Sequence, residues 1–237
     1  MTVVLGVDTA TAFAVVALTR EGEPVREVSV PPAPDGRPRH SEVLLAEIER
    51  CVEAGGGWES VERIAVGVGP GSFTGLRIGI ATARGLAQAR ALPITPVVTL
   101  AALARGMSTG PQAQGHRTLP VIDARRGEAF AALYDHDGAE LWAPIVAPPI
   151  ELAERVAELD STPLAAGDGA LRFAAELEAA GATVAPPGDE VHRVAARHVC
   201  ALGEEATEAS PEAIGPLYLR PPDAKRWLER DRKDPEG

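Results

Sequence analysis

The sequence predicts an α/β protein of two related domains, each a mixed sheet with flanking helices, the second of them reduced. Three observations carry that reading. The chain opens on a short apolar strand ending in an acid, Val3 to Val7 followed by Asp8, and it restarts in the same way with Leu119 to Ile122 followed by Asp123. An apolar run follows each acidic turn, and Leu18 lies as far beyond Asp8 as Leu133 lies beyond Asp123, a weak internal repeat. Strand-helix units then follow in both halves, which an α/β sheet requires. Gly106 to Gly115, rich in Gly, Pro, Ser and Gln, reads as the linker, giving domains 1–105 and 106–237.

In the first half, Val3 to Val7, Phe13 to Leu18 and Val25 to Val30 form a three-strand meander turned by Thr9-Ala10-Thr11 and Glu21-Gly22-Glu23-Pro24. After the proline-rich stretch Pro31 to Pro38, Ser41 opens a helix with Leu44, Leu45, Ile48 and Val52 on its apolar side, closed by Gly55-Gly56-Gly57. Next comes Ile64 to Gly85, where a strand buried on both faces breaks at Gly69-Pro70-Gly71 and feeds a helix with Ser72 at its N-cap. A strand at Ile94 to Val98 and a small helix complete the half. Beyond Asp135 the second half offers a helix at Ile150 to Leu159 and a strand at Leu164 to Ala166 before Gly167-Asp168-Gly169-Ala170. Helices at Leu171 to Ala180 and Val191 to Glu205 follow, and the C-terminal tail is expected to pack back on the first domain.

Composition narrows the function. With 45% hydrophobic residues and no apolar run near the ~20 residues of a membrane span, the 237-residue chain reads as globular. Its start, MTVVLGVDTAT, lacks a basic n-region, so a cytoplasmic location is expected. Cys51 and Cys200 read as reduced, buried thiols, and the five histidines show no metal-ligand spacing, so no metal is assigned. A net charge of -11 opposes unaided binding to a phosphate backbone. The basic C-terminal residues Arg220, Lys225, Arg226, Arg230, Arg232 and Lys233, interleaved with acids, read as a solvated tail.

The helix after Ser72 carries Gly75, Gly79 and Ala83 four apart, a ridge with little side chain. Such a ridge admits either the backbone of a partner helix or close packing on its own sheet, and both readings stand at this point. The helix N-terminus is also a general anion site, but GxxxxGK[ST] and GxGxxG are both absent. Asp8 and Asp123 read either as holders of a magnesium-bound water or as turn caps. His40, Ser41 and Glu42 are sequence neighbours, a poor arrangement for a hydrolase relay. Arg77 and Arg84 share one stripe and read as carboxylate partners or as solvated charges.

The two acidic strand ends, each with a hairpin and then strand-helix units, fit the duplicated domain of the actin, sugar kinase and Hsp70 superfamily (ASKHA, RNase H-like). Nearly the whole chain resembles the TsaB (YeaZ) family of glycoprotease-like proteins. The resemblance rests on GVDTATAFAVVAL, RHSEVLLAEI, GVGPGSFTGLRIGIATARGLA, VIDARRGEAFAALYD, GDGA and PLYLRPPDAK, of which GPGSFTGLRIG is the most specific. It implies a non-catalytic scaffold that pairs with a catalytic paralogue, TsaD, and with the ATPase TsaE. The complex transfers threonylcarbamoyl to the tRNA adenosine beside the anticodon. ATP and magnesium then belong to the complex, tRNA is met through it, and the isolated chain is able to homodimerise.

The resemblance places the partner interface on His40, Ser41, Glu42, Leu44, Leu45 and Ile48 of one helix. On the other it takes Gly71, Ser72, Phe73, Thr74, Gly75, Leu76, Arg77, Gly79 and Ala83. On that reading a bulky residue at Gly75 or Gly79 abolishes pairing and leaves the monomer folded. A vestigial nucleotide cleft is assigned to Asp8, Thr9, Asp123, Gly167, Asp168 and Gly169. No catalytic residue is assigned, because Thr99 and Leu103 stand where the catalytic paralogue has the HxxxH pair that holds its metal. The alternatives are an ATP-binding ASKHA enzyme, a nucleotide sensor, or the peptidase of the older family label.

Overall fold

In the computed structural model, residues 2–110 and 115–220 are described. Two five-stranded sheets share one topology. The first is ordered β3-β2-β1-β4-β5 and comprises β1 (Val3–Asp8), β2 (Ala14–Arg20), β3 (Glu23–Val30), β4 (Arg63–Gly69) and β5 (Ile94–Val98). The second runs β8-β7-β6-β9-β10, from β6 (Thr118–Arg125), β7 (Glu128–Tyr134), β8 (Glu140–Ala147), β9 (Leu164–Ala166) and β10 (Thr183–Val184). In each sheet the first strand pairs antiparallel with the hairpin strand and parallel with the strand after the crossover. The repeat seen in the sequence is therefore a duplication of topology.

Helices fill the layers around the sheets. They are α1 (His40–Ala54), α2 (Phe73–Arg90), α3 (Thr99–Ser108), α4 (Pro149–Ala157), α5 (Asp168–Arg172), α6 (Ala174–Ala179) and α7 (Ala196–Glu205). Side chains alternate across a strand, so Val3, Leu5 and Val7 of β1 join the core under α1 and α2, while Val4 joins the core that also holds α3 and α7. That inner core takes Ile122, Phe130 and Ala132 from the second sheet. The opposite face of that sheet, Leu119, Val121 and Ala131, packs on α4, α5 and α6. The order of layers is α1 and α2, first sheet, α3 and α7, second sheet, α4 to α6.

The structure revises several sequence expectations. The boundary at residues 105 and 106 falls inside α3, and α7, from the second half, lies on the first sheet. Helix α1 starts at His40 behind an Arg39 cap, which leaves Ser41 inside the first turn; its buried side is His40, Leu44, Ile48, Cys51 and Val52, with Leu45 turned out. Strand β8 had no clear signal, because it is an edge strand that carries Pro144 and only partial alternation. The helix expected at Leu171 to Ala180 is two short helices meeting at Phe173, and the one expected from Val191 begins at Ala196. The second domain is reduced in strand length, β9 and β10 being three and two residues, and it keeps the full strand count. Of the basic C-terminal residues only Arg220 is described; Lys225, Arg226, Arg230, Arg232 and Lys233 lie outside the described residues.

Close approach fixes α7. A Cβ on Gly6 of β1 would stand 2.5 Å from the Cys200 sulfur and 2.8 Å from the Ala196 carbonyl oxygen, and one on Gly203 would stand 2.3 Å from Ala65 Cβ. Both cysteines are free and buried, as expected. Gly6→Ala should cost about 1–3 kcal/mol in urea denaturation, the usual size of an overpacking defect. Adding Cys200→Ala should recover part of that loss, since the sulfur is one of the two obstructing atoms. Strictly additive losses would instead mean that α7 moves away as a body.

Candidate functional site

The turn after β1 and the first turn of α2 are stitched together. β4 ends at Gly69, with φ at 101°, followed by a cis peptide to Pro70. Ser72 then caps α2, its Oγ accepting from Gly75 N–H at 3.3 Å, as expected. Ser72 N–H donates to the Ala10 carbonyl at 2.7 Å, and the Thr9 hydroxyl donates to the Gly75 carbonyl at 2.7 Å. This approach explains the small residues. A Cβ on Gly71, Gly75 or Gly79 would lie 2.4, 2.0 or 2.2 Å from Ala10 O, Thr9 O or Thr9 Oγ1 respectively.

The interface expectation is corrected accordingly. Gly75, Gly79 and Ala83 do not face a partner; they are buried, the two glycines against the chain's own β1 turn. Leu76, Leu44 and Ile48 belong to the same internal core, and the His40 ring packs on Gly75. Of the assigned residues, Ser41, Glu42 and Leu45 of α1 and Ser72, Phe73, Thr74 and Arg77 at the start of α2 are exposed, Leu45 at 58%. The outward stripe of α2 continues through Ala81 and Gly85, and a Cβ at Gly85 would meet nothing within 4 Å. Leu76 and Ile80 beside Gly75 and Gly79 were the available signal, since they place the glycines on the apolar side.

Asp8, at the end of β1, is sealed at 1% exposure. Its Oδ1 accepts from Ala10 N–H and its Oδ2 from the Thr99 hydroxyl, both at 2.7 Å, while Thr99 Oγ1 accepts from Gly69 N–H at 3.1 Å. Gly67 makes the space, because a Cβ there would sit 1.8 Å from Asp8 Oδ2. Burial pushes the carboxyl up to about 6 in spite of these two bonds. Leu103, one turn along α3 from Thr99, is buried in the core.

Its counterpart in the second half has a different setting. Asp123 N–H donates to Asp168 Oδ1 at 2.9 Å, and Asp123 Oδ1 accepts from Arg125 N–H at 2.8 Å. Asp123 Oδ2 takes the guanidinium groups of Arg172 at 2.8 Å and Arg125 at 3.3 Å. Gly167, with φ at 117°, and Gly169 let this loop lie on β6; their Cβ atoms would fall 2.0 Å from Val121 O and 2.7 Å from the Ile122 carbonyl carbon.

The two halves enclose a cleft of ≈ 560 Å³ whose walls are residues 10–12 and 71–74 of the first half, residues 123–126 and 168 of the second, and residues 217–220. It brings together Ser72, Phe73, Thr74, Asp123 and Asp168. Asp8, Thr9, Gly167 and Gly169 lie behind its walls. This pair of acids does not fit a magnesium-bound nucleotide: Asp8 is sealed off and already accepts two hydrogen bonds, and Asp123 is neutralised by two arginines. Thr99 and Leu103 do not fit a metal either, one hydroxyl being engaged by Asp8 and the other side chain having no ligand atom. The His40, Ser41 and Glu42 trio is not assembled, since His40 is buried with Nε2 unpartnered and the other two are exposed. Among the described residues, the only group spaced for a metal is Asp135, His136 and Asp137 in the β7–β8 turn, outside the cleft.

Comparison with known proteins matches residues 34–184 to the family described as TsaD: tRNA N6-adenosine threonylcarbamoyltransferase. The chain is 30% identical over 179 residues to the Bacillus subtilis tRNA threonylcarbamoyladenosine biosynthesis protein TsaB, covering 73% of this chain and 76% of that protein. It is 29% identical over 228 residues to the Escherichia coli TsaB, covering 92% of this chain and 94% of that one. The solved structure of YeaZ from Pseudomonas aeruginosa superposes with a TM-score of 0.72 at 28% identity, covering 92% of this chain and 100% of that one. The ROK hexokinase of Thermus thermophilus, at 16% identity and a TM-score of 0.52 over 86% of this chain and 99% of that one, shares the fold.

The buried acid sets a pH dependence. The folded carboxyl of Asp8 titrates near 6, above the ordinary 3.8, so the folded state holds the proton more tightly than the unfolded chain. Its contribution to stability is greatest at acid pH and is lost as pH rises through about 6. Between pH 5 and pH 8 the wild type should lose on the order of 1 kcal/mol relative to Asp8→Asn in chemical denaturation. Parallel pH profiles for the two proteins would show that Asp8 is not the group responsible.

Proposed function

The chain belongs to the TsaB (YeaZ) family, and from that membership we propose that it acts in threonylcarbamoyladenosine synthesis on tRNA as a non-catalytic subunit. On this reading it docks a catalytic TsaD-type paralogue on the outer face of α1 and α2. The observation that carries the docking reading is the character of that face. Both helices cover the outer side of the first sheet, and they present exposed Leu45 and Phe73 beside the small Ala81 and Gly85. An apolar and small-residue face is what a partner helix needs for close packing. The interface thus moves from the buried ridge to the stripe on the other side of α2.

The absence of a catalytic role is supported by the spent hydroxyl of Thr99 and the apolar Leu103. The chain then needs no cofactor of its own; ATP and magnesium are used by a TsaE-type ATPase and the paralogue, and tRNA is met through the assembled complex. Among the described residues no helix is long and apolar enough to cross a membrane, which accords with work in the cytoplasm. Without the paralogue, the same face pairs with a second copy.

Two sets of variants test this. Co-purified with the TsaD-type protein of the same organism, Leu45→Asp and Gly85→Leu should each weaken pairing at least tenfold and melt as the wild type does. Gly75→Leu should lower the stability of the isolated chain by several kcal/mol, on the order of a severe overpacking defect. Unchanged pairing in both surface variants would refute the docking face.

A further inference from the structure

The segment after α7 doubles back to line the cleft and is fastened to both halves. Ala209 N–H donates to the Ile94 carbonyl at 3.0 Å and Leu217 N–H to the Val68 carbonyl at 2.7 Å, so this stretch first runs beside the first sheet. Leu217 packs on the core under α2. Tyr218 stacks on Phe73 with ring centroids 5.3 Å apart, and its hydroxyl accepts from Arg77 Nε at 3.1 Å. The Arg77 guanidinium also lies 3.9 Å from the centre of the Phe73 ring.

Two residues further on, the chain is in the other half. Leu219 packs on the core between the sheets, and Arg220 donates to the Ala124 carbonyl at 3.1 Å and pairs with Glu128. Ala124 and Glu128 flank the β6–β7 turn, in which Arg125 and Arg126 hold φ of 64° and 56°. Left-handed geometry is costly for residues with a Cβ and persists only where the surroundings hold it. Arg220 is one of the groups that holds it.

We infer that residues 217–220 are a strap that keeps the two halves closed on each other, with Tyr218 and Arg220 as its two fastenings. Both fastenings lie within these four residues, so they act in series: releasing either end frees the other half as well. Tyr218 is 41% exposed and Arg220 is half-buried, which makes both contacts open to exchange with solvent. The sheets otherwise share the α3 and α7 layer, and packed helices are the usual site of shear between domains. The strap stands independently of the docking reading. If that reading also holds, a partner on α2 touches the strap directly through Phe73 and Arg77.

Hydrogen exchange read by mass spectrometry on the full chain tests the strap. The reporters are the two cleft turns, where Ala10 and Arg125 N–H groups are held by Asp8 and Asp123, with β4 and β7 as core references. Tyr218→Ala and Arg220→Gln should each speed exchange at least fivefold in both turns and leave β4 and β7 as they were. Faster exchange confined to the turn beside the altered residue, or no change, would overturn the strap. Should either variant also loosen β4 or β7, Arg220→Lys decides instead: it keeps the charge opposite Glu128 and loses the guanidinium fork on Ala124. Faster exchange in both turns supports the strap, and a change in one turn or neither refutes it.

Discussion

The buried carboxyl of Asp8 is the constraint on which the first domain is built. It gathers the end of β1, the end of β4 and the start of α3 through Ala10, Gly69 and Thr99, two of these contacts direct and one relayed by the Thr99 hydroxyl. A polar group so deeply buried is tolerable only when its hydrogen bonds are made. Everything near it is therefore cut to fit. Gly67 is bare because the carboxyl occupies the place of its side chain, and Gly71, Gly75 and Gly79 are bare because the turn that the carboxyl shapes presses on α2. One acid thus dictates four glycines and, through them, the angle at which α2 leaves the sheet.

The duplication makes a controlled comparison inside one chain. Asp8 and Asp123 occupy equivalent ends of equivalent strands, yet one is enclosed by backbone and a hydroxyl and the other by two guanidinium groups at the cleft. Neither arrangement leaves a carboxylate disposed to hold a hydrated cation between the halves. The ROK hexokinase shares this fold at 16% identity, and fold alone does not imply function. What differs between the two acids is the side chains around them, the Thr99 hydroxyl on α3 for Asp8 and the guanidinium of Arg172 on α5 for Asp123.

Much of this was legible from residues alone. Alternation and turn chemistry located β1 to β7 and β9, the Ser72 cap, and the reduced second domain, because those features are local and the physics that sets them acts over a few residues. The failures are equally physical. Strand β8 is mostly exposed or half-buried, so it lacks a clean apolar alternation, and it lies at an edge, where it carries a proline that a central strand would refuse. The expected start of α7 at Val191 is five residues early, because Val191 belongs to a separate 3-10 turn (Glu190–His192) and Val194 to the link after it, both drawn against the inner core by tertiary contact. The Tyr218 stack on Phe73 joins residues far apart in sequence, and spacing carries no trace of it.

The small-residue ridge shows where spacing stops being informative. Residues four apart identify a face of a helix, and bare positions on that face state that some backbone comes close. They do not say whose. The decision lies in the neighbours: Leu76 and Ile80 bracket the glycines with bulk that water would not tolerate, so the approaching backbone had to be the chain's own. The opposite face carries small residues interleaved with polar ones, Thr74, Arg77, Ala81 and Gly85, all of them exposed. The inner face of α2 thus sets the position of the helix, and the outer face is the one that the proposed docking would use.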